Sequence, residues 1–307
     1  MSEPLVWLPF PPDRLGEAPP GLRYEVMVPE EGAGPPESAE EVELFVQPYR
    51  FSRADNELIA LLPRLRVVQT LTAGIEHVAP YLPDRVTLCN GRGIHDDSTA
   101  ELALTLLLAS LRGVPEFVRA QDRREWRPSW RPALADKRVM VLGYGQIGAA
   151  VEARLLPFGV EVVRVASSAR PGVHAVGELP LLLTAVDVVV VVVPATPETA
   201  GMVDAEFLAS MKDGALLVNV ARGSVVDTEA LADALETGRL SAALDVTDPE
   251  PLPPDHRLWR APNLLVSPHV GGASSAMWPR AYRLVRDQLA RYAAGEPLVN
   301  VVLGPPR

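Results

Sequence analysis

The 307-residue chain has a single cysteine, Cys89, which excludes an intrachain disulfide framework and any cysteine-cluster metal site. Only Lys137 and Lys212 are lysines among 29 basic residues, so Schiff-base chemistry has few candidates. The five histidines, at 77, 95, 174, 256 and 269, show no HxH or HExxH spacing, and no metal site is expected. The longest purely aliphatic run, Val188 to Val193, spans six residues, enough for a buried strand and too short to cross a bilayer. Positive charge is in deficit, 29 basic against 39 acidic residues for a net −10, which argues against a general nucleic-acid or anionic-membrane partner. The opening MSEPLVWLPF lacks a basic segment ahead of an apolar one, so no secretory signal is read and a cytoplasmic protein is expected.

What is abundant is apolar: 48% of residues are hydrophobic and 22% charged, the balance of a globular protein with a large core. The length suggests two domains. Thirty-one prolines gather near the N-terminus, at 126–132 and at 249–262, where they mark turns and loop ends. Short apolar runs alternate with helical patterns. Strands are predicted at Leu5–Leu8, Tyr24–Val28, Glu43–Gln47, Val67–Leu71 and Val86–Cys89, with a short helix at Asn56–Leu62. The Pro/Glu/Gly-rich stretch Pro29–Glu41 reads as a surface loop.

A second series of strands follows Lys137: Arg138–Leu142, Glu161–Val165, Asp187–Val193, Ala215–Val220, Ala242–Asp245 and Leu264–Ser267. Helical patterns fall at 147–156, 204–211, 228–237 and 276–293. This alternation implies an α/β protein of two Rossmann-like domains with parallel, doubly wound sheets and an active-site cleft between them. The last helix is expected to return to the first domain. That makes residues 1–97 plus 276–307 a discontinuous substrate-binding domain and 98–275 the dinucleotide-binding one.

Between the two series, Ser98-Thr-Ala-Glu101 has the form of a capping box, and the helix it opens, LALTLLLASL, is apolar nearly all round. A helix of that kind at 98–112 suits a domain crossover or a subunit interface, and a homodimer is expected from it. The segment DRREWRPSWRP mixes arginine and tryptophan as single-strand nucleic-acid readers do, but in an acidic chain it reads as a packed linker.

Gly143-Tyr-Gly145-Gln146-Ile147-Gly148 follows the strand RVMVL and opens a helix. In that setting the first glycine makes a tight turn, the second lets backbone approach a pyrophosphate, and the third allows close helix–strand packing. The acidic residue that would hold a ribose 2′-hydroxyl is absent. The next strand ends at Ala166, followed by Ser167, Ser168, Ala169 and Arg170. Two hydroxyls and a guanidinium suit a phosphate dianion, so NADP(H) is favoured, with NAD(H) still possible. Three polar groups sit where later strands should end: Arg222 in NVARGS, Asp245 with Glu250 in DVTDPEP, and His269 in SPHVGG.

These stretches, together with LADKRVMVLGYGQIG, VDVVVVVVPATPETAGMVD, VVQTLTAGIEHV and TAELALTLLLA, resemble the D-isomer-specific 2-hydroxyacid dehydrogenase family from about residue 58 onward. The family includes glyoxylate/hydroxypyruvate reductases, D-lactate dehydrogenases and phosphoglycerate dehydrogenases. The resemblance implies Arg222, Glu250 and His269 as the catalytic set. It also implies that the backbone amides of Ala73 and Gly74 bind the substrate carboxylate. Gln146, Ile147, Pro194, Val220, Ala221 and Asp245 fall where the family lines the cofactor. Ala166 departs from the aspartate of the commonest members, as in NADP-using glyoxylate/hydroxypyruvate reductases, and Glu250 speaks against formate dehydrogenase, which has glutamine there. The first 57 residues match weakly; Gln47, Tyr49 and Arg50 are the pocket candidates among them. The implied reaction is reduction of a short 2-oxoacid to the D-2-hydroxyacid. Lactate, phosphoglycerate or phosphite dehydrogenase activity and a nucleotide-sensing corepressor are the alternatives.

Overall fold

In the computed structural model, residues 3–30, 34–50 and 52–305 are described. The chain runs through β1 (Leu5–Leu8), β2 (Arg23–Val26), β3 (Val42–Val46), α1 (Arg53–Ala60), β4 (Val67–Gln69) and β5 (Thr87–Cys89). Then come α2 (Asp96–Arg112), α3 (Val114–Asp122), β6 (Arg138–Leu142), α4 (Gln146–Leu155), β7 (Glu161–Ala166), β8 (His174–Ala175), α5 (Leu179–Leu183) and β9 (Val188–Val191). It ends with α6 (Ala205–Ser210), β10 (Leu216–Asn219), α7 (Thr228–Glu236), β11 (Ser241–Leu244), β12 (Leu264–Val266), α8 (Met277–Ala294) and β13 (Val301–Leu303).

Two compact units result, one of residues up to His95 together with those from Ser275 on, the other Asp96–Ser274. The first holds a sheet in the order β13-β5-β4-β3-β1-β2, parallel except for antiparallel β13. The second holds an all-parallel sheet in the order β12-β11-β10-β9-β6-β7-β8.

Period-two alternation puts each strand's side chains on both faces, and a parallel sheet must cover both. In the second unit Val139, Val141, Val188 and Val190 pack with Leu104 and Leu107 of α2 and Val151 and Leu155 of α4. Met140, Leu142, Val189 and Val191 face the other way, against α5, α6 and α7 through Leu183, Phe207, Leu231 and Leu235. In the first unit Trp7, Phe45, Val68 and Leu88 pack with Leu58, Ile59 and Leu62 around α1. Val6, Leu8, Leu44 and Val46 pack on Met277, Ala281, Val285 and Leu289 of α8.

Two expectations fail. The apolar helix opens at Asp96 rather than Ser98, so Ser98 is a buried residue inside its first turn and Glu101 an exposed one beyond it, and Ser98 does not stand at the N-cap position expected of it. Asp96 and Asp97 occupy the helix start, where negative charge meets the positive end of the helix dipole, and Asp97 pairs with Arg154 of α4 at 2.6 Å. The 122–132 segment is not packed. It follows the unpredicted helix α3 as an exposed arm in which Trp126 and Trp130 are 96% and 102% accessible. Its prolines interrupt any regular ladder, and no apolar surface closes over it. The Pro29–Glu41 stretch ends in a 3₁₀ turn at Glu37–Glu40, and its residues 31–33 lie outside those described. No helix among the described residues is long and apolar enough to cross a membrane.

The return of the chain is fastened by a buried amide. Gln288 Nε2 donates to Gln69 Oε1 at 2.8 Å and to the Val299 carbonyl at 2.9 Å, while the Val299 N–H donates to Gln288 Oε1 at 2.9 Å. Gln69 Nε2 in turn donates to the carbonyls of Thr70 and Asn90. Removing Gln288 strands these buried groups, so Gln288→Ala should cost about 2–4 kcal/mol. The expected readout is a lower urea midpoint by far-UV circular dichroism; an unchanged midpoint contradicts the assigned role.

Candidate active site

Strand order in the second sheet reverses at β6, with β7 and β8 on one side and β9 to β12 on the other. Such a reversal opens a crevice at the carboxyl ends of the strands. The chain leaves β6 there through Gly143, whose φ is +104°. A Cβ on Gly143 would sit 2.6 Å from the Val192 carbonyl carbon, and one on Gly148 would strike the Gly143 carbonyl oxygen. Glycine is therefore required at both positions by backbone alone. Gly145 is different: nothing lies within 4 Å of its Cβ position, so open space adjoins the backbone. Gln146 and Ile147 begin α4, where amide N–H groups have no partner within the helix. An open backbone beside a helix N-terminus fits the pyrophosphate of a dinucleotide.

At the end of β7, Ser167, Ser168 and Arg170 are all exposed, with no carboxylate among residues 167–170. The Arg170 guanidinium donates to the Tyr144 carbonyl at 2.5 Å, across the crevice edge from the glycine turn. Past β9, Pro194 is exposed and its carbonyl accepts the Thr199 hydroxyl at 2.6 Å, which closes that loop on itself. Past β10, buried Asn219 accepts the Ala221 N–H and donates to the Arg222 carbonyl, both at 3.0 Å. The turn buries Val220 and Ala221 and leaves Arg222 half-buried, its Nη1 donating to the Ala221 carbonyl at 2.8 Å.

Past β11, the Asp245 carboxylate is buried and faces the loop that follows β12. It accepts the Ser267 hydroxyl at 2.6 Å, the Val270 N–H at 2.9 Å and the Gly271 N–H at 2.8 Å. The Asp245 carbonyl also accepts the His269 N–H at 2.7 Å. His269 is thereby held at φ +52°, the left-handed region that side chains rarely adopt. Its Nδ1 lies 2.5 Å from Glu250 Oε1, with the imidazole 30% and the carboxylate 39% accessible. Imidazole and carboxylate are within hydrogen-bond reach, so the carboxylate fixes the orientation of the ring.

The remaining predicted residues stand in the first unit. Ala73 and Gly74 follow β4, their carbonyls held by Asn90 Nδ2 and the Thr72 hydroxyl, each at 2.8 Å. Tyr49 follows β3, its ring 5.2 Å from that of His95. Gln47 and Arg50 are occupied otherwise: Gln47 donates to Asn56 at 3.0 Å, and Arg50 grips buried Asp55 with two bonds of 2.7 and 2.8 Å. Both bonds lie within the first unit. Sequence reasoning passed over Asn219, Thr199 and Ser267, which shape the turns carrying the named residues. Asn219 and Ser267 sat inside motifs already quoted, directly at strand ends, and an amide or hydroxyl there is the signal of a side chain bonded to its own turn.

The chain is similar to known proteins along most of its length. The sequence model of the D-isomer specific 2-hydroxyacid dehydrogenase NAD-binding domain matches residues 104–271. The chain is 37% identical over 238 residues to the glyoxylate reductase/hydroxypyruvate reductase of Mus musculus, covering 72% of each chain. A D-isomer specific 2-hydroxyacid dehydrogenase from Xanthobacter autotrophicus Py2, solved with NADPH and MES, superposes with a TM-score of 0.80 at 33% identity over 98% of both chains. An NADPH-dependent glyoxylate/hydroxypyruvate reductase from Sinorhizobium meliloti, solved with NADP and sulfate, gives a TM-score of 0.81 at 28% identity, again over 98% of both. With a doubly wound sheet, a glycine turn at its switch point and a His–carboxylate couple at the strand ends, this chain belongs to the D-isomer-specific 2-hydroxyacid dehydrogenases, a family of NAD(P)-dependent oxidoreductases.

Proposed function

We propose that the enzyme reduces a short 2-oxoacid of the glyoxylate/hydroxypyruvate type to the D-2-hydroxyacid, with NADPH preferred to NADH. The observation that carries the reading is the His269–Glu250 contact of 2.5 Å on a loop locked by Asp245. Residues 98–275 form the dinucleotide-binding domain in this reading, and 1–97 with 276–307 the substrate domain. Gly143, Gly145, Gln146, Ile147 and Gly148 would hold the pyrophosphate, with Pro194, Val220, Ala221 and Asp245 lining the rest of the cofactor site. Ser167, Ser168 and Arg170 would hold the 2′-phosphate. The bound dinucleotide supplies a hydride to the keto carbon.

The protein's own groups do the rest. The Arg222 guanidinium and the amides of Ala73 and Gly74 bind the substrate carboxylate, and Tyr49 borders the side-chain pocket. Arg222 also faces the keto oxygen, stabilising negative charge as it develops. With Nδ1 bonded to Glu250, His269 delivers its proton from Nε2 to that oxygen. Glu250 fixes the ring. The cytoplasm, with its nicotinamide pools, is the compartment this reading assigns.

A homodimer belongs to the proposal as well. One side of helix α2 packs on α4 and the sheet, while Leu102, Leu108 and Leu111 are only partly buried. More open still are α3 and the arm after it, where Val114, Phe117, Val118, Trp126 and Trp130 are exposed. Arginines are interleaved with these aromatics, Arg131 lying 5.7 Å over the Phe117 ring. Alternating guanidinium and aromatic groups are self-complementary, as a two-fold interface requires.

Loss of absorbance at 340 nm with glyoxylate and hydroxypyruvate tests the reaction. Turnover with both is expected, with kcat/KM higher for NADPH than for NADH. His269→Gln should lower kcat by about 10²–10⁴-fold with little effect on KM. Wild-type rates in that variant would overturn His269 as the proton donor. In sedimentation at micromolar concentration a dimer is expected, and Trp126→Ala with Trp130→Ala should shift it toward monomer; a monomeric wild type would refute the assembly.

A further inference from the structure

A cluster beside the glycine turn has no part in the chemistry above. Glu152 of α4 is a charged side chain only 7% accessible. Arg164 of β7 grips it with both arms of its fork, Nε to Oε2 at 3.0 Å and Nη2 to Oε1. The Tyr144 hydroxyl donates to the same carboxylate. Burial works to raise the Glu152 pKa, but the bonds from Arg164 and Tyr144 outweigh it and hold the carboxyl below its usual range. The bond to Glu152 and then burial push the Tyr144 phenol up, so the phenol keeps its proton.

Tyr144 stands between the first two glycines of the turn, and two guanidinium groups lie over its ring. The Arg164 carbon is 5.7 Å from the ring centroid and the Arg170 carbon 5.8 Å. Arg170 also donates to the Tyr144 carbonyl. Its own loop is rigid: Arg170 and Val173 exchange both backbone bonds, at 3.1 and 2.8 Å, around Pro171 and Gly172. Gly172 has φ +75°, as the third position of a proline-led turn demands. Arg164 Nη1 reaches the Gly172 carbonyl at 3.4 Å.

We propose that Tyr144, Glu152 and Arg164 are positioning residues that aim Arg170 at the 2′-phosphate of the nucleotide and so set the preference for a phosphorylated ribose. The inference rests on the NADPH reading above. An exposed arginine gives up free torsions when it grips an anion, and one already laid on an aromatic ring has less to give up. The bond to the Tyr144 carbonyl takes one of five guanidinium N–H donors, and the fork presents the others to a phosphate. Glu152 anchors the ring, and Arg164 cancels the negative charge that would otherwise stand near a dianion.

Calorimetric titration of the substrate-free enzyme with NADP+ and with NAD+ tests this. Tyr144→Leu and Glu152→Gln should each raise Kd for NADP+ about tenfold while Kd for NAD+ stays within about twofold. Tyr144→Phe, which keeps the ring and loses only its anchor, should fall between wild type and Tyr144→Leu. Equal weakening toward both nucleotides would make the cluster a support of the fold and overturn the proposal. Unchanged NADP+ affinity in all three variants would overturn it as well. A wild type that binds both nucleotides equally would instead refute the NADPH reading, and the inference with it.

Discussion

The buried carboxylate of Asp245 is the constraint on which the candidate chemistry depends. It accepts the Ser267 hydroxyl and two successive amides, those of Val270 and Gly271, and so closes the loop after β12 onto the end of β11. His269 sits inside that closure at positive φ, a conformation costing on the order of 1 kcal/mol for a side chain with a Cβ. Charge-assisted bonds of this kind contribute about 1.5–3 kcal/mol each, so the loop can hold its histidine in a state the backbone alone would reject. The His269–Glu250 contact is a consequence of that hold. Asp245 therefore sets the backbone that carries His269, the proton donor of the proposed reaction.

The same logic recurs along the carboxyl edge of the sheet. Asn219 closes the turn that presents Arg222, Thr199 closes the one after Pro194, and backbone crowding at Gly143 fixes the turn after β6. Each functional side chain rises from a turn whose own polar groups are satisfied by a neighbour that is not itself reactive. Pre-organisation is thus built from short local bonds, and the candidate side chains Arg222 and His269 stay partly accessible. That division also explains why the strands are so short and so largely apolar. They need only bring their ends to one edge and bury both faces.

Much of this was legible because period and punctuation agree. The strands of the second unit fall within a residue or two of their sequence limits, since apolar runs bounded by glycine and proline leave little freedom of register. The glycine turn was legible for the same reason. What escaped were features set by tertiary satisfaction. Helix α2 opens at Asp96, since carboxylates suit the helix start and buried Ser98 has the core on its side. The two-residue strand β8 and the last strand β13 carry too few residues to show a period, and they exist because an edge was available to pair with. Gln47 and Arg50 bond Asn56 and Asp55, nine and five positions away on α1, a pairing that only the fold creates.

Net charge was the least informative quantity about the site, and the reason is local pairing. A chain of net −10 still gathers Arg164 and Arg170 about one tyrosine beside the glycine turn. Elsewhere it pairs its carboxylates with arginine: Arg257 alone engages Glu229, Asp233 and Glu236 along one face of α7, at 3.0, 2.7 and 2.9 Å. Those three raise the guanidinium pKa further and use a cation for surface cohesion. The scarcity of lysine fits both uses. A planar fork can bridge two carboxylate oxygens, lie flat on a ring and still offer donors to a phosphate, whereas an ammonium is a single point of charge. The acidic excess therefore belongs to the surface, and the nucleotide site is set apart from it by geometry rather than by composition.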